Sequence, residues 1–211
     1  MNLTNKAWLP DALVRAVSND SYSRGDSDIS VTQLIDSPLI RQLRKAHADE
    51  ITEDVSDRIW ALLGQSVHTI LERANLGGLV EQRVGWTLGG VKLSGQFDHW
   101  ENGILTDYKV TSVWSVIYGK DSWEDQLNVL AYLCYQNNLK VEKLQIVAIL
   151  RDWQKSKAMD ENYPSTQVDT VPVPLWDSGR QEEYVQARLA AHFYLPPTCS
   201  DEERWAKPDT W

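Results

Sequence analysis

The dipeptides Gly89-Gly90 and Asn102-Gly103 interrupt three runs of strand-forming residues, and each is a tight-turn signal that favours positive φ. A two-residue hairpin loop sets the pairing of everything that flanks it, because opposed residues then have numbers with a constant sum. Counting from Asn102-Gly103, Glu101 faces Ile104, Trp100 faces Leu105, His99 faces Thr106 and Asp98 faces Asp107. Counting from Gly89-Gly90, Leu88 faces Val91 and Glu81 falls opposite Asp98. The carboxylates of Glu81, Asp98 and Asp107 would then form one row on one face of a three-stranded meander. Lys109 joins that face because strand side chains alternate. A single bulge between Glu81 and its turn would move Glu81 to the other face.

Like charges placed opposite one another destabilise a sheet and raise each other's pKa, so such a row needs a compensating charge. A divalent cation supplies it. Ligation by carboxylate oxygens favours the hard ions Mg²⁺ and Mn²⁺ over zinc. An ion held there would acidify a bound water, polarise a phosphate and stabilise a leaving oxygen. Lys109 could hold or deprotonate the water and offset charge on the phosphorane.

The rest of the chain reads as helices and strands that would enclose the meander. Residues 1–29 are polar and irregular and are expected to form a loosely ordered N-terminal extension, with residues 30–211 as a single domain. Val31, Leu34, Ile35, Leu39 and Leu43 predict one helix over about residues 30–49. Arg41, Arg44 and Lys45 cluster late in it, either as a solvated face or as a DNA contact. A second helix is expected over about residues 53–74, where Ala61, Gly64, His68 and Glu72 form a stripe beside its apolar side. After the meander come a helix over about 122–138, an apolar strand over 144–150, a polar loop, a strand near 168–175 and a helix over about 178–194. The expected fold class is α/β, a mixed central sheet flanked by helices.

Composition narrows the function. The formal net charge of −9 argues against a broad basic platform for nucleic acid, so any such partner must meet a local basic groove, a bound cation or both. No uncharged apolar run approaches the roughly 20 residues of a membrane span, and the first residues lack the pattern of a signal peptide. A cytoplasmic location, in a bacterial or phage-infected host cell, is expected. Two cysteines, Cys134 and Cys199, suit that compartment.

At these residues the chain resembles the RecB-like branch of the PD-(D/E)XK nucleases, which includes phage recombination exonucleases and CRISPR adaptation exonucleases. The matching pieces are residues 64–72 (GQSVHTILE), 94–98 (SGQFD), 106–111 (TDYKVT) and 123–132 (WEDQLNVLAY), in the family's order and spanning about residues 30–150. The resemblance implies a restriction-endonuclease-like core in which His68, Asp98, Asp107 and the backbone carbonyl of Tyr108 ligate Mg²⁺ or Mn²⁺, with Glu81 as a further candidate. Asp98, Asp107, Lys109 and Gln126 would be the catalytic set. It further implies DNA as substrate and a place in recombination, end processing or DNA repair. By analogy, a homo-oligomer or a single-strand annealing protein would supply the grip on DNA that an acidic monomer lacks.

There are two departures from the family pattern. The tyrosine expected four residues after Gln126 is Leu130, with Tyr132 two positions later, so Tyr132 substitutes or that contact is absent. Ser37-Pro38 stands where some relatives begin an iron-sulfur cluster with Cys-Pro, and two cysteines cannot build a Cys₄ cluster. Tyr118, Lys120 and Trp123 could stack a base and hold a phosphate, or cap and bury the helix that follows. The same choice applies to Arg151, Trp153, Lys155 and Lys157, and Arg204, Trp205 and Trp211 could serve an interface. Rival readings are a structure-specific endonuclease or RNase with the same centre, a catalytically idle DNA-binding module, and an acidic interaction protein.

Overall fold

A computed structural model describes residues 2–19, 25–74 and 77–200. The chain folds as a mixed α/β domain whose central sheet is flanked by helices. The three meander strands are β4 (Leu79–Leu88), β5 (Val91–Glu101) and β6 (Ile104–Thr111). They follow β1 (Asn2–Thr4), β2 (Ile29–Ser30) and β3 (Thr52–Asp54), and precede β7 (Lys143–Leu150) and β8 (Val168–Val173). Among the described residues, no helix is long and apolar enough to cross a membrane.

Both hairpins adopt the register that their turns dictate. Asn102, Gly103, Gly89 and Gly90 all have positive φ, Leu88 pairs with Val91, and Glu101, Trp100 and His99 pair with Ile104, Leu105 and Thr106. The expected next pair, Asp98 with Asp107, does not form, because the β5–β6 ladder ends at His99 and Thr106 although both strands continue. One edge of β5 carries β4, and the other is shared. On the shared edge β2 pairs with Leu93 and Ser94 and β6 with residues 99–101, so residues 95–98 have no strand partner there. β6 instead runs parallel to β7 along its whole length, and β7 pairs antiparallel with β8.

The parallel β6–β7 pair requires a crossover. It is supplied by α5 (Val113–Ile117) and α6 (Asp121–Gln136), whose residues 127–134 are all buried. Leu127, Leu130 and Leu133 join Leu93, Phe97, Leu105 and Ile146 in the core. Helix α7 (Ser178–Phe193) packs on α6; buried Asn128 of α6 accepts from Gln181 Nε2 of α7 at 3.3 Å, and it ties down the chain entering α7 by accepting from Trp176 N at 2.8 Å and donating to Pro174 O at 2.9 Å.

Two expectations change on the N-terminal side. The single helix expected over residues 30–49 is two, α2 (Val31–Ile35) and α3 (Pro38–Ala46). Ser37 caps the second, and Pro38, which has no N–H to give, fits only the first turn. The segment expected to be irregular contains β1, paired in parallel with β3, and α1 (Asp11–Ser18). Helix α1 packs on α4 (Ile59–Glu72), which starts after a 3₁₀ turn at Val55–Arg58 rather than at residue 53.

Gly95 sits on the unpaired stretch of β5. A Cβ there would lie 2.6 Å from both Leu130 Cδ2 and Val31 Cγ2, so α6 and α2 close directly on the strand. Gly95→Ala is expected to lower stability by about 1–3 kcal/mol through overpacking, read as a drop in the urea midpoint. An unchanged midpoint would mean that both helices yield.

Candidate active site

The unpaired stretch of β5 ends at Asp98, and its buried carboxylate takes over a role left by the missing ladder: Oδ2 accepts from Tyr108 N at 2.6 Å. The other oxygen, Oδ1, lies 3.4 Å from His68 Nδ1 on α4, and the same nitrogen is 3.5 Å from Glu81 Oε1 on β4. Donor atoms of His68, Glu81 and Asp98 all lie within 4.8 Å of one another. Hydrogen bonding to Asp98 and then to Glu81 outweighs burial and raises the His68 pKa to about 10.

Glu81 reaches this cluster through an unusual backbone. Its φ is +51°, in the left-handed region that side-chain-bearing residues seldom occupy, while Val80 and Gln82 on either side keep the hairpin register with His99 and Phe97. The register therefore survives without a bulge. Gln96 Nε2 donates to Glu81 Oε2 at 2.6 Å, and Arg83 in turn donates to Gln96 Oε1 at 3.1 Å.

Asp107, Lys109 and Gln126 form a second group beside the first. Lys109 Nζ donates to Asp107 Oδ1 at 2.9 Å and to Gln126 Oε1 at 3.3 Å, and Gln126 Nε2 approaches Asp107 Oδ1 at 3.4 Å. Lys109 Nζ is also 2.9 Å from Asp107 Oδ2, but as an ion contact without hydrogen-bond geometry; Oδ2 is buried and has no hydrogen-bond partner. Burial pushes the Asp107 carboxyl up to about 6, against the pull of the Lys109 charge.

His68, Glu81, Asp98, Asp107, Lys109 and Gln126 all line one cavity of about 750 Å³. Its donor chemistry fits a divalent cation. The carboxylates of Glu72, Glu81, Asp98 and Asp107 line it, the last with an orphaned buried oxygen, and the His68 imidazole joins Glu81 and Asp98. This oxygen-rich set with one nitrogen suits Mn²⁺ as well as Mg²⁺.

Other sequence candidates fall elsewhere. Trp123 is buried in the core, so its ring cannot meet a base; Lys120 Nζ lies 6.0 Å from that ring. Tyr132, the candidate substitute in the altered glutamine element, is also a core residue, while Leu130 lines the cavity. Arg41 stacks on Phe193 and donates to Asp28 O, and Arg44 pairs with Asp36 at 2.8 Å; neither lines the cavity. Trp153 donates to Pro164 O and packs against the core. Tyr118 is exposed. Arg204, Trp205 and Trp211 lie outside the described residues.

Sequence reasoning missed Gln96, Arg83 and the contribution of Ala16 and Asn19 to the cavity wall. The first two carried a usable signal, since each lies two strand positions from a predicted ligand and therefore on its face. Asn19 carried none.

No protein-family model matches the chain, and no curated protein matches it. The solved structure of SSO0001 is similar in fold, with a TM-score of 0.58 at 16% identity over 86% of this chain and 85% of that one. A candidate exonuclease from Eubacterium rectale aligns at a TM-score of 0.39 and 15% identity over 82% of this chain and 70% of that one. A phage related exonuclease from Haemophilus somnus 129PT aligns at 0.36 and 12% over 91% and 86%.

Because His68 keeps its proton up to about pH 10 in the metal-free site, a cation bound through its Nδ1 must displace that proton. Mn²⁺ affinity is therefore expected to rise about tenfold per pH unit between pH 7 and 9. Below about pH 6, where Asp107 also protonates, it should fall more steeply. Calorimetry in buffers of different ionisation enthalpy should count about one proton released per ion at pH 7.5, and none in His68→Ala. A wild-type count of zero would remove His68 from the ligand set.

Proposed function

We propose that this chain is a metal-dependent nuclease of the PD-(D/E)XK type, in its RecB-like branch, that hydrolyses phosphodiester bonds in DNA, most specifically as an exonuclease. The observation that carries this reading is that the lysine-bearing group of Asp107, Lys109 and Gln126 and the cluster of His68, Glu81 and Asp98 open into one cavity. Acids alone could be a solvated patch. Acids gathered in one cavity, one of them with a buried orphan oxygen and an amine positioned beside it, are what phosphodiester hydrolysis needs.

Asp98, Asp107, Glu81, His68 and the Tyr108 carbonyl would hold Mg²⁺ or Mn²⁺. When bound, the ion supplies Lewis acidity toward water and phosphate and neutralises charge on the leaving oxygen. Lys109 orients the attacking water and offsets negative charge on the pentacoordinate phosphorane. Gln126 touches both Lys109 and Asp107 and so fixes the amine's position. Tyr108 N–H holds one Asp98 oxygen and leaves the other turned to the cluster. Recombination, end processing or phage DNA metabolism are settings that such an activity serves, with a homo-oligomer or a single-strand annealing protein aiding DNA capture.

The test incubates end-labelled linear DNA and closed circular DNA with the protein in Mg²⁺, Mn²⁺ or EDTA. Linear DNA should be lost only with metal, and Lys109→Ala should slow that loss by about 100-fold or more. Nicking of the circle would replace the exonuclease reading with an endonuclease. Absence of cleavage by the wild type with either metal would sink the proposal.

A further inference from the structure

Strands β6 and β7 end side by side, paired at Thr111 and Leu150, and the chain leaving β7 is tied back onto β6. Arg151 N donates to Thr111 O at 3.0 Å, and the Asp152 carboxylate accepts from Ser112 Oγ at 2.7 Å and Val113 N at 2.8 Å. Around this junction large rings are left at the surface. Trp114 on α5 and Tyr118, which caps its end, stack with centroids 5.8 Å apart and planes 14° apart, yet are 53% and 79% exposed. Trp60 at the start of α4 is 58% exposed and carries the Arg151 guanidinium 4.7 Å from its ring centroid.

Rings of this size ordinarily go to the interior, and grouped exposure marks a contact surface. Their position says what kind. Lys109 precedes Thr111 by two residues, about 7 Å along the strand, so the junction that carries the rings continues directly from the strand that carries Lys109. Arg151 lies on Trp60 and Lys120 follows Tyr118 by two residues, cations that stand out on a chain of net charge −9.

We propose that Trp60, Trp114 and Tyr118 form a base-stacking subsite for single-stranded DNA, with Arg151 and Lys120 meeting its phosphates. The inference rests on the nuclease reading above and adds the form of DNA it selects. An unpaired base can lay its face on an exposed ring, whereas a base inside a duplex already has both faces covered by its neighbours. Trp114 and Tyr118 hold each other parallel, so a base that joins the stack orders no further protein side chain. The Arg151 guanidinium on Trp60 places a charge beside a stacking face, a pairing suited to a nucleotide, which has both a base and a phosphate.

The test measures anisotropy of a labelled thymidine strand, an abasic strand and a duplex, each with the full chain in EDTA. Tyr118→Ala should weaken binding of the thymidine strand about tenfold, Tyr118→Phe should restore it, and the duplex and abasic strand should change by less than about twofold. Wild-type affinity in Tyr118→Ala, or an equal loss for the abasic strand, would overturn the subsite. So would an altered oligomeric state in light scattering with strand affinity unchanged, which would assign the rings to a protein contact. Cleavage of linear DNA by the wild type in Mn²⁺ is measured alongside. A wild type that cuts DNA but whose binding ignores Tyr118 overturns the subsite alone, and one that neither binds nor cuts overturns both readings.

Discussion

Strand β5 has three strand neighbours and two edges, and that constraint shapes the site. One edge is given to β4; the other is divided between β2 at residues 93–94 and β6 at residues 99–101. The backbone between these ladders still carries polar groups that need partners. Where β6 leaves β5, the Asp98 side chain accepts the Tyr108 N–H. An acid that would otherwise repel Asp107 across a ladder becomes instead a fixed acceptor, with one oxygen committed and one directed at His68. Gly95, at the start of the same stretch, has no side chain to hold α2 and α6 away, so α6 comes close enough for Gln126 to reach Lys109 and Asp107. Separation of the strands and approach of the helix are two results of one topological fact.

The extent to which this could be read beforehand follows the range of the interactions. Turn chemistry is local, and Asn102-Gly103 and Gly89-Gly90 fix the register out to His99–Thr106 and, on β4, through Gln82 and Val80 on either side of Glu81, because nothing distant competes with them. The pairing of Asp98 with Asp107 was the next step of the same count, and it is absent: the strands part after His99–Thr106, and β2, a two-residue strand more than sixty positions upstream, takes the β5 edge at Leu93 and Ser94. No property of residues 91–111 reports that competitor. The left-handed φ of Glu81 is equally silent in sequence, since glutamate has no preference for it. The break between α2 and α3, by contrast, was legible at Ser37-Pro38 and was obscured by an apolar spacing that both short helices happen to share. Trp123 and Tyr118 illustrate the remaining difficulty, because two aromatics in one connection have opposite fates, one in the core and one on the surface, that their local sequence does not distinguish.

The backbone at Glu81 connects fold to chemistry. A non-glycine residue in the left-handed region costs on the order of 1 kcal/mol or more, and the surrounding ladder tolerates it because Val80 and Gln82 remain paired. What that conformation obtains is reach: the Glu81 carboxylate meets both His68 and Gln96, and through Gln96 it is coupled to Arg83. Strain held by neighbouring pairs at a cluster of convergent polar groups is the usual mark of a site shaped for binding rather than for stability.

Charge balance at the cluster bears on how an acidic chain could approach a polyanion. With His68 and Lys109 protonated, the carboxylates of Glu81, Asp98 and Asp107 leave the group one unit negative, which repels a phosphodiester. A divalent ion that enters in exchange for the His68 proton would bring the group to neutrality, and the repulsion would vanish without any change elsewhere on the surface. Ion binding would then favour entry of the reacting phosphate as well as its chemistry, without being needed for a strand to bind elsewhere on the surface. The overall charge of −9 raises no objection to a nucleic-acid substrate on this account, because repulsion needs to be removed only within a Debye length of the site, about 10 Å at 0.1 M salt.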